Sequence, residues 1–204
     1  MGPEEMERTG VSSHSDRAIF LDRDGTIVED VDFLICVEDM HVLPRAPEAL
    51  RLLKEAGFLL VVVTNQSAIA RGWLTEAGLA AVHAELNRRL AQQGAAIDAF
   101  YHCPHLPGAA LERYNRECEC RKPGVGLLEQ AAREWRLDLR RSYMVGDSER
   151  DMEAGRRAGC ATILIRREPS GSDHAERADA ALADAVVPDL MGAARLVLSD
   201  DWAK

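Results

Sequence analysis

The sequence predicts an α/β fold, a doubly wound and mostly parallel sheet with helices on both faces. Three observations lead there. Short apolar runs alternate with segments of helical spacing in the order strand, helix, strand, helix. The run Phe58–Val63 (FLLVVV) is apolar without a break, as suits a parallel strand covered on both faces. Three of the runs lead directly into a polar residue, Asp22, Thr64 or Asp147. In sheets of this kind ligands bind at the carboxyl ends of the strands, so three polar side chains are expected at one crevice.

Taken in order, Arg17–Leu21 is a buried strand leading to Asp22. Ala46–Ala56 has helical spacing, with Gly57 as its C-cap. The strand Phe58–Val63 follows, then a helix from Thr75 to about Gln93 with Thr75 as N-cap. Ile97–Tyr101 is a candidate strand, followed by a loop bearing Pro and Gly that runs to Lys122. Val125–Trp135 is helical, Ser142–Val145 a strand, Glu149–Ala158 a helix and Ala161–Ile165 a strand. A polar, Ala- and Asp-rich connection from Ser170 to Ala185 leads to a last strand near Ala185–Val187 and a helix from Asp189 to about Leu198. Residues 1–16 read as a flexible lead-in, and residues 17–204 as one domain with a metal loop at about 102–122.

Composition narrows the function. The 204 residues are 47% hydrophobic and 29% charged, with a formal net charge of -9 and a pI of about 5.2. An acidic chain is unsuited to broad binding of nucleic acid or anionic membrane, but a local basic pocket can still take a phosphorylated small molecule. No apolar run approaches the roughly 20 residues that cross a bilayer. Met1-Gly2 resembles a myristoylation start, but position 6 is Met6 rather than Ser or Thr. The expectation is a cytoplasmic protein, monomeric, without nucleic-acid or membrane partners.

The segment FLDRDGTIVED (Phe20–Asp30) places Asp22 and Asp24 around Arg23 at a strand end. A carboxylate fixed there can attack phosphorus, and a second one two residues on can exchange protons with leaving group and water. Asp-x-Asp-Gly is also a common surface turn; the buried strand before it and Thr26 behind it favour chemistry. VVVTNQSAIARG (Val61–Gly72) ends a strand on Thr64, with Asn65, Gln66 and Ser67 next, a turn suited to a phosphate oxygen. Lys122, in CRKPG, adds a point charge, although a lone lysine usually faces solvent. MVGDSERDMEAG puts Asp147 at another strand end, where hard oxygen ligands suit Mg²⁺. Asp151, in the first helical turn, reads as ordinary helix-end charge.

Of five cysteines, Cys103, Cys118 and Cys120 gather in one loop, while Cys36 and Cys160 stand alone. Cys103-Pro-His105 and Cys118-Glu-Cys120 can supply three thiolates and an imidazole, a closed tetrahedral Zn²⁺ site of structural type. His102 competes with His105 for the fourth place; His105 is favoured because alternate residues can point to one centre. Such a site would order the loop and set Arg121 and Lys122 over the crevice.

In their order, these four carboxylate and phosphate segments resemble the motifs of the haloacid dehalogenase (HAD) superfamily over about Arg17–Ile165. The resemblance implies a Rossmann-like sheet without a large cap domain. It implies Asp22 as nucleophile and Mg²⁺ ligand, Asp24 as acid/base with its carbonyl on the metal, Thr64 and Lys122 on the phosphoryl group, and Asp147 completing the metal site. The CPH…CECRKPG arrangement looks like one branch, the D-glycero-D-manno-heptose 1,7-bisphosphate 7-phosphatases and the related histidinol-phosphate phosphatases. The long stretch Leu106–Glu117 and TNQSAIARG are similar to the heptose members. For them the resemblance implies a sugar-phosphate substrate in heptose biosynthesis, Arg121 on its distal part, Asn65, Gln66 and Ser67 along it, and a flap from Asp30 to Phe33. Two places depart from the branch: VDFL follows Asp30 where a Gly-Tyr pair is usual, and Ser148 stands where Lys is frequent. The alternatives are a histidinol-phosphate or broader sugar phosphatase of the same fold, and a zinc-stabilised binding module without turnover.

Overall fold

The structure is a computed structural model that describes residues 15–166 and 182–199. Its core is a six-stranded sheet: β1 (Ala18–Leu21), β2 (Leu59–Asn65), β3 (Ala99–Cys103), β4 (Tyr143–Gly146), β5 (Ala161–Ile165) and β6 (Ala185–Val187). The order is β3-β2-β1-β4-β5-β6, and every pairing is parallel. The helices are α1 (Ala46–Glu55), α2 (Ser67–Ala70), α3 (Glu76–Ala91), α4 (Gly126–Trp135), α5 (Glu149–Ala158) and α6 (Leu190–Val197). None of them is long and apolar enough to cross a membrane.

Alternation along the strands divides the core into two faces. Ile19, Leu21, Leu60, Val62, Val145 and Ile163 pack with Leu50 and Leu53 of α1, Leu86 of α3 and Met191 of α6. Ala18, Phe20, Val61, Val63 and Met144 turn the other way, onto Leu127, Leu128 and Ala131 of α4 and Ala154 of α5. Leu60 to Val63 are wholly buried, and each such side chain contributes about 1.5–3 kcal/mol. That reserve lets the strand ends hold polar and charged groups close together.

The chain lays β2 and β3 on one side of β1, then crosses to β4, β5 and β6 on the other. The strand order therefore reverses between β1 and β4, the place where ligands bind in open α/β sheets. Asp22 N–H donates to Val145 O at 3.0 Å, tying the end of β1 to β4.

Most expected elements form where the spacing placed them. The Thr75 hydroxyl accepts from Gly78 N–H at 2.9 Å as the cap of α3. Two differ in extent. The strand expected at Ile97–Tyr101 runs instead from Ala99 to Cys103. Asp98 is taken out of it because its carboxylate accepts from Leu60 N–H and pairs with Lys54. The turn after Thr64 is shorter than expected: β2 continues through Asn65 and the chain enters α2 at Ser67. Of the lead-in only Ser15 and Asp16 are described, and Asp16 pairs with Arg141 while its carbonyl accepts from Asp138 N–H. Most of the connection 170–185, and Trp202, lie outside the described residues.

Candidate active site

The carboxyl ends of β1, β2 and β4 open into a cleft of about 340 Å³. Asp22, Asp24, Thr64, Asn65, Gln66, Ser67, Lys122 and Asp147 line it, with Asp30, Phe33 and Arg121 at the sides. Every catalytic and substrate-contact residue named from the sequence thus meets at one place. Asp32, Leu34, Ser148, Arg150 and Asp151 line it as well.

Lys122 is the hub. It is 3% exposed, against the ordinary expectation for a lysine. Its ammonium lies 2.6 Å from Asp151 Oδ1 and 2.9 Å from Asp22 Oδ1, and donates to Val63 O at 2.8 Å, so two carboxylates and a carbonyl surround the charge. Neither carboxylate oxygen accepts a directed hydrogen bond; the ammonium compensates both by charge. Burial works to depress the lysine's pKa, but Asp151 and Asp22 outweigh it and push the value up, so Lys122 stays charged.

Asp151 corrects the sequence reading. It is wholly buried and is the nearest carboxylate to Lys122, not a solvated helix-end charge. The same carboxylate accepts from Ser148 N–H and Oγ–H at 3.2 and 2.6 Å, forming a capping box at the start of α5. The available signal was the spacing of Asp147 and Asp151, which puts the second aspartate on the first turn of a helix starting at the cleft. A side chain on Gly146 would collide with it, and one on Gly25 with Asp147; Gly25 also turns at φ +75°.

Four carboxylates crowd this end of the sheet, and the pKa values register it. Asp22 rises to about 6 through burial, opposed by Lys122 and reinforced by Asp151 and Asp24. Asp147 rises to about 7 through desolvation, then Asp22 and Asp151. Because Asp147 lies open at the cleft mouth, like-charge crowding is the part that survives hydration. Ligand oxygens of Asp22, Asp147 and Asp151 lie within 4.8 Å of one another. Asp151 has one oxygen on Lys122 and the other on Ser148, whereas Asp22 meets Lys122 through Oδ1 alone; Asp22 and Asp147 thus remain as hard donors beside open space, a set that fits Mg²⁺.

Other residues turn inward. Gln66 is 5% exposed, and its amide donates to Asp24 Oδ2 and Thr64 Oγ1, both at 2.9 Å. Asn65 brackets the Lys122 peptide, accepting from its N–H at 3.0 Å and donating to its carbonyl at 3.1 Å. These two amides, expected along the substrate, are spent on holding Asp24 and Lys122. On the flap, Phe33 packs edge-on against Trp73, ring centres 4.8 Å apart.

Beside the cleft, Cys103, His105, Cys118 and Cys120 bring their donor atoms within 4.8 Å of one another. Cys120 Sγ lies 3.1 Å from Cys103 Sγ and 3.2 Å from Cys118 Sγ, and His105 Nδ1 lies 3.3 Å from Cys120 Sγ. Zinc–sulfur bonds of about 2.3 Å in a tetrahedron need sulfurs about 3.8 Å apart, so four soft donors at this spacing fit Zn²⁺ with a small expansion. Burial pushes the Cys103 thiol up, so thiolates gathered here call for a cation. His102 is turned away, 2.9 Å from Glu76. Arg121 Nη1 donates to His105 O at 3.2 Å, which joins the loop to the cleft.

Comparison with known proteins agrees with this geometry. A HAD-hydrolase-like family model matches residues 119–193. The D-glycero-beta-D-manno-heptose-1,7-bisphosphate 7-phosphatase of Yersinia pestis is 43% identical over 150 residues, 73% of this chain and 80% of the relative. The enzyme of that name from Escherichia coli (strain K12) is 41% identical over 162 residues, 79% of this chain and 85% of the relative. A crystal structure of D,D-heptose 1,7-bisphosphate phosphatase from B. bronchiseptica, complexed with magnesium and phosphate, superposes with a TM-score of 0.75 at 34% identity, over 89% of this chain and 98% of that one. With the cleft, the sheet order and these relatives in agreement, the chain is a HAD-like phosphoric monoester hydrolase and belongs to the family of D-glycero-β-D-manno-heptose-1,7-bisphosphate 7-phosphatases.

Proposed function

We propose that this chain removes the 7-phosphate of D-glycero-β-D-manno-heptose 1,7-bisphosphate through an aspartyl-phosphate on Asp22, as a cytoplasmic monomer. The observation that carries the reading is the Lys122 ammonium bridging Asp22 and Asp151 at the floor of the cleft. It holds Asp22 in place as an anion where β1 ends, beside the Thr64 hydroxyl and the turn into α2.

Asp22 attacks phosphorus, and the ester bond breaks with its electron pair going to the sugar oxygen. Asp24 gives that oxygen a proton. Water then attacks the phosphorus of the aspartyl-phosphate and passes its proton to Asp24, so both carboxylates return to their starting state. Thr64 and Lys122 hold equatorial oxygens, where a fixed cation in a poorly hydrated site is most effective. Asp22, Asp147 and the Asp24 carbonyl would hold Mg²⁺, which when bound neutralises charge on the phosphoryl group. Cys103, His105, Cys118 and Cys120 would hold a structural Zn²⁺ that sets Arg121 at the distal, phosphate-bearing end of the sugar. Asp30, Phe33 and Ser67 border the rest.

The test is phosphate release with Mg²⁺ from both anomers of the heptose bisphosphate and from histidinol phosphate. We expect at least a tenfold preference in kcat/KM for the β-heptose, about 1.4 kcal/mol of discrimination. The reverse preference would overturn the substrate. Asp22→Asn should lower kcat by at least about 10⁴-fold while unfolding normally; turnover retained in that variant would overturn the covalent step.

A further inference from the structure

Among the described residues, Arg23 heads the large side chains that are fully buried. It stands in the turn between Asp22 and Asp24, where a solvated arginine would be unremarkable. A buried guanidinium is expensive to desolvate unless its donors are matched, and here they are. Nε donates to Asp24 Oδ1 at 3.0 Å and Nη2 to Asp24 Oδ2 at 2.9 Å, a two-point fork on one carboxylate. Nη2 also donates to Gln66 Oε1 at 3.1 Å, and Nη1 meets His83 Nε2 at 3.3 Å. Four of the five guanidinium protons therefore have acceptors.

His83 is anchored in turn. It projects from the middle of α3, is 6% exposed, and lies flat on Phe100 of β3 with ring centres 4.6 Å apart. Burial, then the Arg23 charge and His102, push its pKa down to about 3. A neutral ring with its proton on Nδ1 leaves Nε2 as an acceptor facing the guanidinium. Asp24 is thus gripped on both oxygens by Arg23, on Oδ2 by Gln66 as well, and the grip is backed by a ring held between α3 and β3.

We propose that Arg23 and His83 are positioning residues that form a buried strut from α3 to the cleft, fixing the Asp24 carboxylate in the orientation its proton transfers require. Both act through Asp24: Arg23 holds its oxygens and His83 holds Arg23. The inference rests on Asp24 being the acid and base of the reaction. The strut orients Asp24 for both transfers, to the sugar oxygen in the first half-reaction and from water in the second.

The experiment compares His83→Leu, which removes the acceptor, with His83→Gln, which keeps one. Heptose bisphosphate has a poor leaving group that needs the proton; p-nitrophenyl phosphate has one that does not. With the sugar, His83→Leu should lower kcat by about tenfold, a part of the roughly 10²–10⁴-fold that acid–base assistance supplies, with KM little changed. With p-nitrophenyl phosphate the rapid burst of nitrophenol should keep its wild-type rate while the following steady rate falls, because water still needs Asp24. His83→Gln should recover most of the loss. An unchanged kcat, an equal loss in burst and steady phases, or a Gln variant no better than Leu would each overturn the strut. Should His83→Leu not fold, Arg23→Lys, which keeps charge but loses the fork, must show the same split between phases or the proposal fails. Asp24→Asn runs alongside: if it keeps the sugar kcat, the acid–base assignment itself is wrong and the strut falls with it, whereas a large loss there with none in His83→Leu refutes the strut alone.

Discussion

The cleft at the end of β1 and the cysteine loop beside it both crowd ionisable donors within a few ångströms, and they resolve the crowding in opposite ways. In the cleft the donors are hard carboxylates, and a permanent cation, Lys122, is built into the chain to balance two of them. Asp22 and Asp147 are left raised to about 6 and about 7, with a free mouth in front. In the loop the donors are soft, four in number and turned on one another. No lysine or arginine side chain is hydrogen-bonded to any of the three sulfurs among the described residues. A balanced but open set can exchange ligands and do chemistry; a closed set of thiols has only a bound ion to complete it, and that ion can only hold the loop.

The built-in cation is the more fragile of the two solutions. Asp151→Asn takes away the 2.6 Å partner of Lys122 and leaves a buried charge half-compensated. Denaturant unfolding should show a loss of about 3–5 kcal/mol, and kcat should fall with it. A loss below about 1 kcal/mol would mean the ammonium is hydrated, and the hub would not be a hub. The closed set should respond to chelation instead. Stripping Zn²⁺ should lower stability by about 2.7 kcal/mol relative to protein held at a hundredfold excess of ion over Kd, and Cys118→Ser should abolish that dependence. Equal stability with and without the ion would remove zinc from the loop while leaving the cleft as described.

A smaller effect is expected at the strut behind the cleft. The His83 pKa lies at about 3 in the folded chain against an ordinary 6.5. Between those values the unfolded chain binds the extra proton, so stability rises with pH. The contribution is fully present above about pH 6.5 and is lost as pH falls, by about 2 kcal/mol at pH 5. His83→Gln should flatten the fall in Tm over pH 6.5 to 5; an unaltered slope would show that the ring is hydrated and not locked against Arg23.

How legible the site was differs between these regions. The loop reads directly from sequence, because four metal-type residues in two tight pairs have few other uses, and the structure brings the same four together with His102 left out. The strand ends read almost as well, since an apolar run that stops on Asp22, Thr64 or Asp147 states both burial and direction. Asp151, Arg23 and the inward turn of Asn65 and Gln66 did not read. An aspartate in a first helical turn and an arginine in a turn have ordinary solvated explanations, and only the packing of α3, β3 and α5 around them removes the water. The shift of β3 to Ala99–Cys103 has the same origin, because Asp98 is claimed by Lys54 and Leu60 from two other elements.

The sequence by itself determined the α/β class, the run of elements, the residues that converge on the cleft and the four donors of the loop. These follow from periodicity, burial and residue chemistry, which are local properties. Tertiary structure alone decided the strand order β3-β2-β1-β4-β5-β6, the burial of Lys122 between Asp22 and Asp151, and the strut from His83 through Arg23 to Asp24. Those depend on which groups lose water together, and a charged residue carries no mark in the sequence of whether its partner will be a neighbour's side chain or the solvent.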